Sequence, residues 1–117
     1  GTKIDLALKN DFLEDLGKDL LAMVVDDAVC LGAETVSITN TFETEKIIPE
    51  QINQMMKGLS ETCLAQGVVI AGGEIAEVGD KISGTSWGAD AMGIVEKEKI
   101  IDGTKIQKGD RVIALQE

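Results

Sequence analysis

The sequence predicts an α+β domain, a mixed β-sheet with two helices on one face. Three observations carry this. Residues 13–31 and 49–66 place apolar side chains at helical spacing. Residues 35–42 (TVSITNTF) alternate β-branched and polar residues, as a half-buried strand does. The last third is cut by Gly-Asp and Asp-Gly turn signals into further short apolar runs. The expected order is β-α-β-α-β-β-β.

Residues 3–8 (KIDLAL) read as a short opening strand, although their alternation is poor. In the first helix Leu13, Leu16, Leu20, Met23, Val24 and Leu31 form the apolar stripe, and Gly32 is the expected stop. Pro49 opens the second helix with Glu50 in its first turn; Ile52, Met55, Met56, Leu59 and Cys63 form its stripe, ending near Gly67. GVVIAGG (residues 67–73) reads as a buried strand. Residues 83–95 read as a long strand of small side chains. Turns at Asp102-Gly103 and Lys108-Gly109-Asp110 lead to a final strand over residues 111–115. Residues 1–117 make one domain, long enough to bury roughly two-thirds of the unfolded surface. The start at Gly-Thr-Lys and the stop just after a strand-like run read as a piece of a larger polypeptide. Edges left by so many strands favour oligomerisation through the sheet.

A formal charge of −10, from 21 acids against 11 bases, argues against a nucleic-acid or anionic-membrane surface. No segment approaches the ~20 apolar residues of a membrane span. Cys30 and Cys63 show no motif spacing and read as small helical hydrophobes, which with no signal segment favours the cytoplasm. With no histidine, Ser-His and Cys-His nucleophiles and the usual catalytic zinc sites are excluded. Chemistry here falls to carboxylates, lysines, hydroxyls and backbone.

Two places stand out. Leu20, Val24, Asp27 and Leu31 fall at i, i+4, i+7 and i+11, which puts Asp27 in the apolar stripe and Asp26 on the polar side. A carboxylate among leucines costs several kcal/mol unless it is paired, hydrogen-bonded or holding a cation. The bland reading is that the helix frays there and Asp27 reaches water. The second place is Gly72-Gly73-Glu74, where glycines let backbone approach a ligand and an acid reaches a phosphate-bound cation; it is equally a bulge with an exposed acid. Asp27 and Glu74 together, with no histidine, suggest a hard-cation site. Neither a Walker-type nor a dinucleotide-binding glycine pattern is present. Trp87, among small residues, is a packing residue or a ligand wall.

GTK at residues 1–3, GKDLLAMVVDDAVCLGAE at 17–34, VIAGGEIAEV at 69–78 and MGIVEKEKIIDGTKIQKGDRVIAL at 92–115 resemble, in order and spacing, the N-terminal domain of the aminoimidazole ribonucleotide synthetases (phosphoribosylformylglycinamidine cyclo-ligases). The resemblance covers nearly the whole chain. It implies a two-domain, ATP-dependent ligase of purine synthesis that phosphorylates the formamide oxygen of formylglycinamidine ribonucleotide before ring closure. It also implies a homodimer whose N-terminal sheets pair into a β-barrel, with ATP in a cleft near the dimer interface. Carried over by position, Asp27 and Glu74 hold Mg²⁺, Lys3 contacts phosphate and Asn40 belongs to the nucleotide-contacting set. There are departures. Asp26 stands where the family has Asn, Asn40 where it has Asp, Leu13 at a histidine position, Ile75 for Thr, and Val78-Gly79 for Met-Pro. The family's glycine-rich phosphate loop before GTK and its C-terminal domain lie outside this sequence. Two other readings stay open: an ATP-using relative with another substrate, and a dimerisation module without chemistry.

Overall fold

In a computed structural model, which describes residues 2–115, the elements run α1 (Thr2–Asn10), α2 (Asp15–Cys30), β1 (Glu34–Thr44), α3 (Pro49–Gln66), β2 (Val69–Glu77) and β3 (Thr85–Ile94). Short 3₁₀ turns follow β2 at Gly79–Lys81 and β3 at Lys97–Lys99. The α+β class with a mixed sheet is therefore correct, with three helices instead of two. The sheet has three strands in the order β2-β1-β3; β2 runs parallel to β1 and β3 antiparallel to it. No helix among the described residues is long and apolar enough to cross a membrane.

On β1 the buried residues Ile38, Asn40, Phe42 and Thr44 alternate with exposed Thr39, Thr41 and Glu43. Helix α2 packs over β1 and β3 on the side of the first set and α3 over β2 and α2, while the second set lies on a face that nothing in the described chain covers. Ile38, Met55 and Leu59 are the largest fully buried side chains, and the core lies between the helices and one face of the sheet. The two helices cross at bare backbone. A Cβ at Gly17 would fall 2.0 Å from the Leu59 nitrogen, and one at Gly58 1.8 Å from the Glu14 carbonyl oxygen. Only glycine permits that approach.

Three expectations need correction. Residues 3–8 are helical, not a strand: Ile4 and Ala7 are buried one turn apart, Asp5 and Lys9 suit the two ends of the helix dipole, and the Asn10 side chain donates to the Leu6 carbonyl at 2.8 Å. The run at residues 67–73 is not a buried strand ending in glycines. β2 continues through Gly72-Gly73-Glu74 to Glu77 as a largely exposed edge strand, because it has a neighbour on one side only. The expected strand at residues 111–115 has no partner to form a ladder; Val112, Ile113 and Leu115 are almost fully exposed. The helix stops behave as expected. Gly67 takes the left-handed conformation at the end of α3 (φ 69°), and Gly32 does so just beyond α2 (φ 79°).

Candidate functional site

The covered arc of α2 includes Gly17, Leu21, Val25 and Ala28 as well as Leu16, Leu20 and Val24. At 100° per residue those additions move the centre of the arc roughly 75° away from Asp27. Asp27 is therefore exposed on the rim of the stripe, not within it as the spacing alone implies. It lines an open cavity of about 480 Å³ with Val24 and Ala28 of α2, Leu31 at the helix C-cap, Ala89, Asp90 and Ala91 of β3, and Ile100.

Asp19, Met23 and Asp27 follow at i, i+4 and i+8, so they form one ridge along α2, with the two carboxylate positions about 12 Å apart along the axis. At the Asp19 end Lys3 reaches down from α1, its Nζ 2.6 Å from Asp19 Oδ2, with both side chains substantially exposed. Lys3, Asp19, Met23 and Trp87 line a second cavity, of about 260 Å³. The two cavities follow the seam between α2 and β3, past Trp87 at one end and Ala89 and Ala91 further along. Among the described residues this seam holds the Lys3–Asp19 pair at one end and, without an ion-pair partner, Asp27 at the other. It is the most site-like feature of the molecule. The helical wheel puts Asp19 with Asp26 on the polar side of α2 and gives it no role at a site; its contact with Lys3 depends on the packing of α1.

Asn40 is at the centre of β1 and 6 % exposed. Its Oδ1 accepts a 3.0 Å hydrogen bond from Trp87 Nε1, and Trp87 stands edge-on to Phe42 with centroids 6.1 Å apart. On the other side Asn40 faces Gly73, where a Cβ would come 2.2 Å from the Asn40 carbonyl oxygen. Gly73 thus has a packing cause, whereas a Cβ at Gly72 would meet nothing within 4 Å. The register jumps between these strands, Ile70 facing Ile38 and Gly72 facing Thr39, so Ala71 bulges out.

Glu74 pairs in register with Thr41 and is exposed. Strand alternation places it on the uncovered face, away from α2. The structure consequently brings Lys3 and Asp27 onto one seam, sets Asn40 beneath that seam in the core, and leaves Glu74 across the sheet from Asp27. Among the described residues no three Asp, Glu, Cys or His side chains cluster closely enough to hold a metal ion. Asp27 and Glu74, on opposite sides of the sheet, therefore do not meet in one site.

Electrostatically the seam's two ends differ. No basic residue occupies the last turn of α2, and Asp27 has no ion pair among the described residues, although carboxylates at a helix C-terminus are disfavoured by the dipole. Elsewhere the charges are matched. Lys57 donates to Glu14 at 2.8 Å, and Lys18 to Asp15 at 2.7 Å, which in each case raises the lysine pKa. Cys63 is buried, and desolvation pushes its thiol pKa up; Cys30, expected among apolar neighbours, is exposed at the end of α2.

Comparison with known proteins follows this geometry. Residues 1–95 match a family model described as AIR synthase related protein, N-terminal domain. The phosphoribosylformylglycinamidine cyclo-ligase of Citrifermentans bemidjiense is 39 % identical over 117 residues, covering 98 % of this chain and 34 % of that protein. The proteins of that name from Staphylococcus saprophyticus and Pyrococcus furiosus are each 36 % identical, over 99 % and 98 % of this chain and 34 % of their own length. The chain thus spans about a third of the length of these curated relatives. Among solved structures, the hydrogenase maturation protein HypE in complex with ATP superposes with a TM-score of 0.65 at 16 % identity, over 72 % of this chain and 26 % of that one. Thiamine monophosphate kinase from Aquifex aeolicus gives a TM-score of 0.62 at 16 % identity, over 77 % and 29 %. At such identities these two establish a shared fold.

Proposed function

The chain belongs to the AIR synthase related protein family, as its N-terminal domain, and from that membership we propose that it is the nucleotide-binding and dimerisation half of an ATP-dependent cyclo-ligase of purine synthesis. The reaction converts formylglycinamidine ribonucleotide to aminoimidazole ribonucleotide: ATP phosphorylates the amide oxygen, the amidine nitrogen closes the ring, and phosphate leaves. The observation that carries this reading is the identity of 36 to 39 % with cyclo-ligases over 98 to 99 % of the chain. That a HypE crystal structure contains ATP supports the choice of nucleotide.

Phosphoryl transfer needs placement and charge neutralisation more than a protein nucleophile, so a chain without histidine is equipped for it. In this reading Lys3 leaves Asp19 to contact phosphate, at small cost because exposed ion pairs contribute little. Asp27 offers a carboxylate to Mg²⁺, which when bound supplies charge neutralisation at the phosphates. Glu74 makes the same offer on the uncovered face. Asn40 acts from below by holding Trp87, which walls the Lys3 end. The uncovered face of the sheet is the surface through which two copies pair into a barrel, and the enzyme works in the cytoplasm.

One observation favours a second reading. Asn40 stands where the resembled family has Asp, and its side-chain Oδ1 accepts from Trp87 Nε1. An amide locked in the core in this way fits an ATP-using relative acting on another substrate. Calorimetric titration with Mg·ATP tests the nucleotide site. Wild type is expected to bind, and Asp27→Asn to lose at least tenfold in affinity, as truncation of a charge-assisted contact costs about 1.5–3 kcal/mol. Unchanged affinity in both Asp27→Asn and Glu74→Gln removes the two carboxylates as metal anchors, and failure of wild type to bind removes the nucleotide reading. Turnover of formylglycinamidine ribonucleotide separates the two substrates, and a concentration-independent monomer by light scattering removes the barrel.

A further inference from the structure

Beyond β3 the chain turns back across the end of α2. Residues 96–101 contain one 3₁₀ turn, Lys97–Lys99, closed internally by the Lys99 amide donating to the Glu96 carbonyl at 2.8 Å and by a 3.0 Å ion pair between the same residues. From residue 96 onward the segment makes one hydrogen bond to the rest of the described chain: the Ile101 amide donates to the Leu31 carbonyl at 3.0 Å. That bond forms beside Gly32, whose φ of 79° turns the backbone away from the helix. A Cβ at Gly32 would come 3.1 Å from the Lys99 carbonyl oxygen and 3.3 Å from the Ile101 side chain. The glycine is therefore both the stop for α2 and the seat for this strap.

The seat adjoins the carboxylate end of the seam. Ile100, 41 % exposed, is part of the wall of the cavity that Asp27 lines, and Ile101 is 58 % exposed. The strap lies outside the residues matched by the family model, which end at 95. One hydrogen bond and two half-exposed isoleucines hold it down, so opening it breaks little and exposes little.

The geometry points to residues 96–101 as a ligand-linked strap, which opens the Asp27 cavity by releasing Ile101 from Leu31 and closes on the nucleotide through Ile100. Ile100 and Gly32 are positioning residues in this device; neither takes part in the chemistry. The inference rests on the nucleotide reading of the seam. A ligand that binds the closed form preferentially shifts the strap toward it.

Hydrogen exchange at the Ile101 amide tests this directly. With Mg·ATP at ten times the wild-type Kd, exchange at Ile101 slows about tenfold if only the closed strap binds, while in Asp27→Asn it slows by no more than about twofold at the same concentration. Gly32→Ala forces a Cβ against the Lys99 carbonyl; it speeds exchange at Ile101 and weakens Mg·ATP binding, with α2 amides upstream still protected. Ile100→Ala weakens binding as well, and Ile100→Leu restores it. Nucleotide bound with Ile101 exchange unchanged overturns the strap and leaves the nucleotide reading intact. So does full affinity in Gly32→Ala with Ile101 released. A wild-type protein that fails to bind Mg·ATP overturns both.

Discussion

In the first turns of α2 the charged residues have partners: Lys18 holds Asp15, Lys57 of α3 holds Glu14 at the N-cap, and Lys3 of α1 holds Asp19. In the last turns of the same helix Asp26 and Asp27 are exposed, have no such partner among the described residues, and sit where the helix dipole disfavours them. The first half is also locked sterically, with Gly17 against Gly58 and Leu59, while the second half carries the half-exposed Met23, Val29 and Leu31. One half is built for packing. The other keeps charge and apolar surface that packing within the described chain does not explain.

The contrast breaks most severely at the helix crossing. Gly58→Ala drives a methyl into the Glu14 carbonyl, and a loss of about 3 kcal/mol is expected in urea unfolding, the upper part of the range for overpacking. Stability within error of wild type would mean the helices separate easily and the lock is not real. Trp87→Phe keeps the ring against Phe42 but removes the donor to the buried Asn40 oxygen, for an expected loss of about 2 kcal/mol. That variant tests whether the floor of the seam is as fixed as the crossing.

The sign of a smaller effect sharpens the comparison further. Asp27→Asn is expected to raise stability by about 0.5 kcal/mol, since it removes a negative charge from a helix C-terminus. Asp19→Asn is expected to lower it by about 0.5 kcal/mol, through loss of the Lys3 pair. Thermal melts of the two variants at low salt decide; a destabilised Asp27→Asn would make that residue structural.

The smallest expected effect lies in the turn beyond the strap. The Thr104 hydroxyl at 2.7 Å and then its amide at 3.0 Å hold the Asp102 carboxyl below its ordinary 3.8. A depressed carboxyl stabilises its turn above that value and loses the effect as pH falls through the lower folded value. An NMR titration should place Asp102 below 3.8, and Thr104→Val, which removes the hydroxyl but keeps the amide, should raise it part of the way back without moving the melting temperature.

The resemblance and the helical spacings made α2, α3, β1 and the α+β class legible, because each is encoded in local periodicity, a glycine stop or a proline start. The opening segment was misjudged because six residues of weak alternation do not distinguish a strand from a helix, and burial of Ile4 and Ala7 decided it. The last segment looked like a strand by composition, but a strand exists only with a partner, and the described chain provides none. Of the candidate site, Lys3, Asp27, Asn40 and Glu74 were identified as residues, whereas their separation onto a seam, into the core and onto the far face was not. Alternation fixes which neighbours share a face within one strand; which face a helix then covers depends on packing across the molecule.

By itself the sequence determined the class of the domain, its family and the absence of histidine chemistry, since these rest on local pattern and on which residues are present. Only the tertiary structure decided that Asp27 stands at the rim of α2, that Gly73 and Trp87 serve Asn40, and that Gly17 and Gly58 touch across two helices. These are long-range contacts, between residues tens of positions apart, and their energy is set by the close fit of surfaces that no single segment contains.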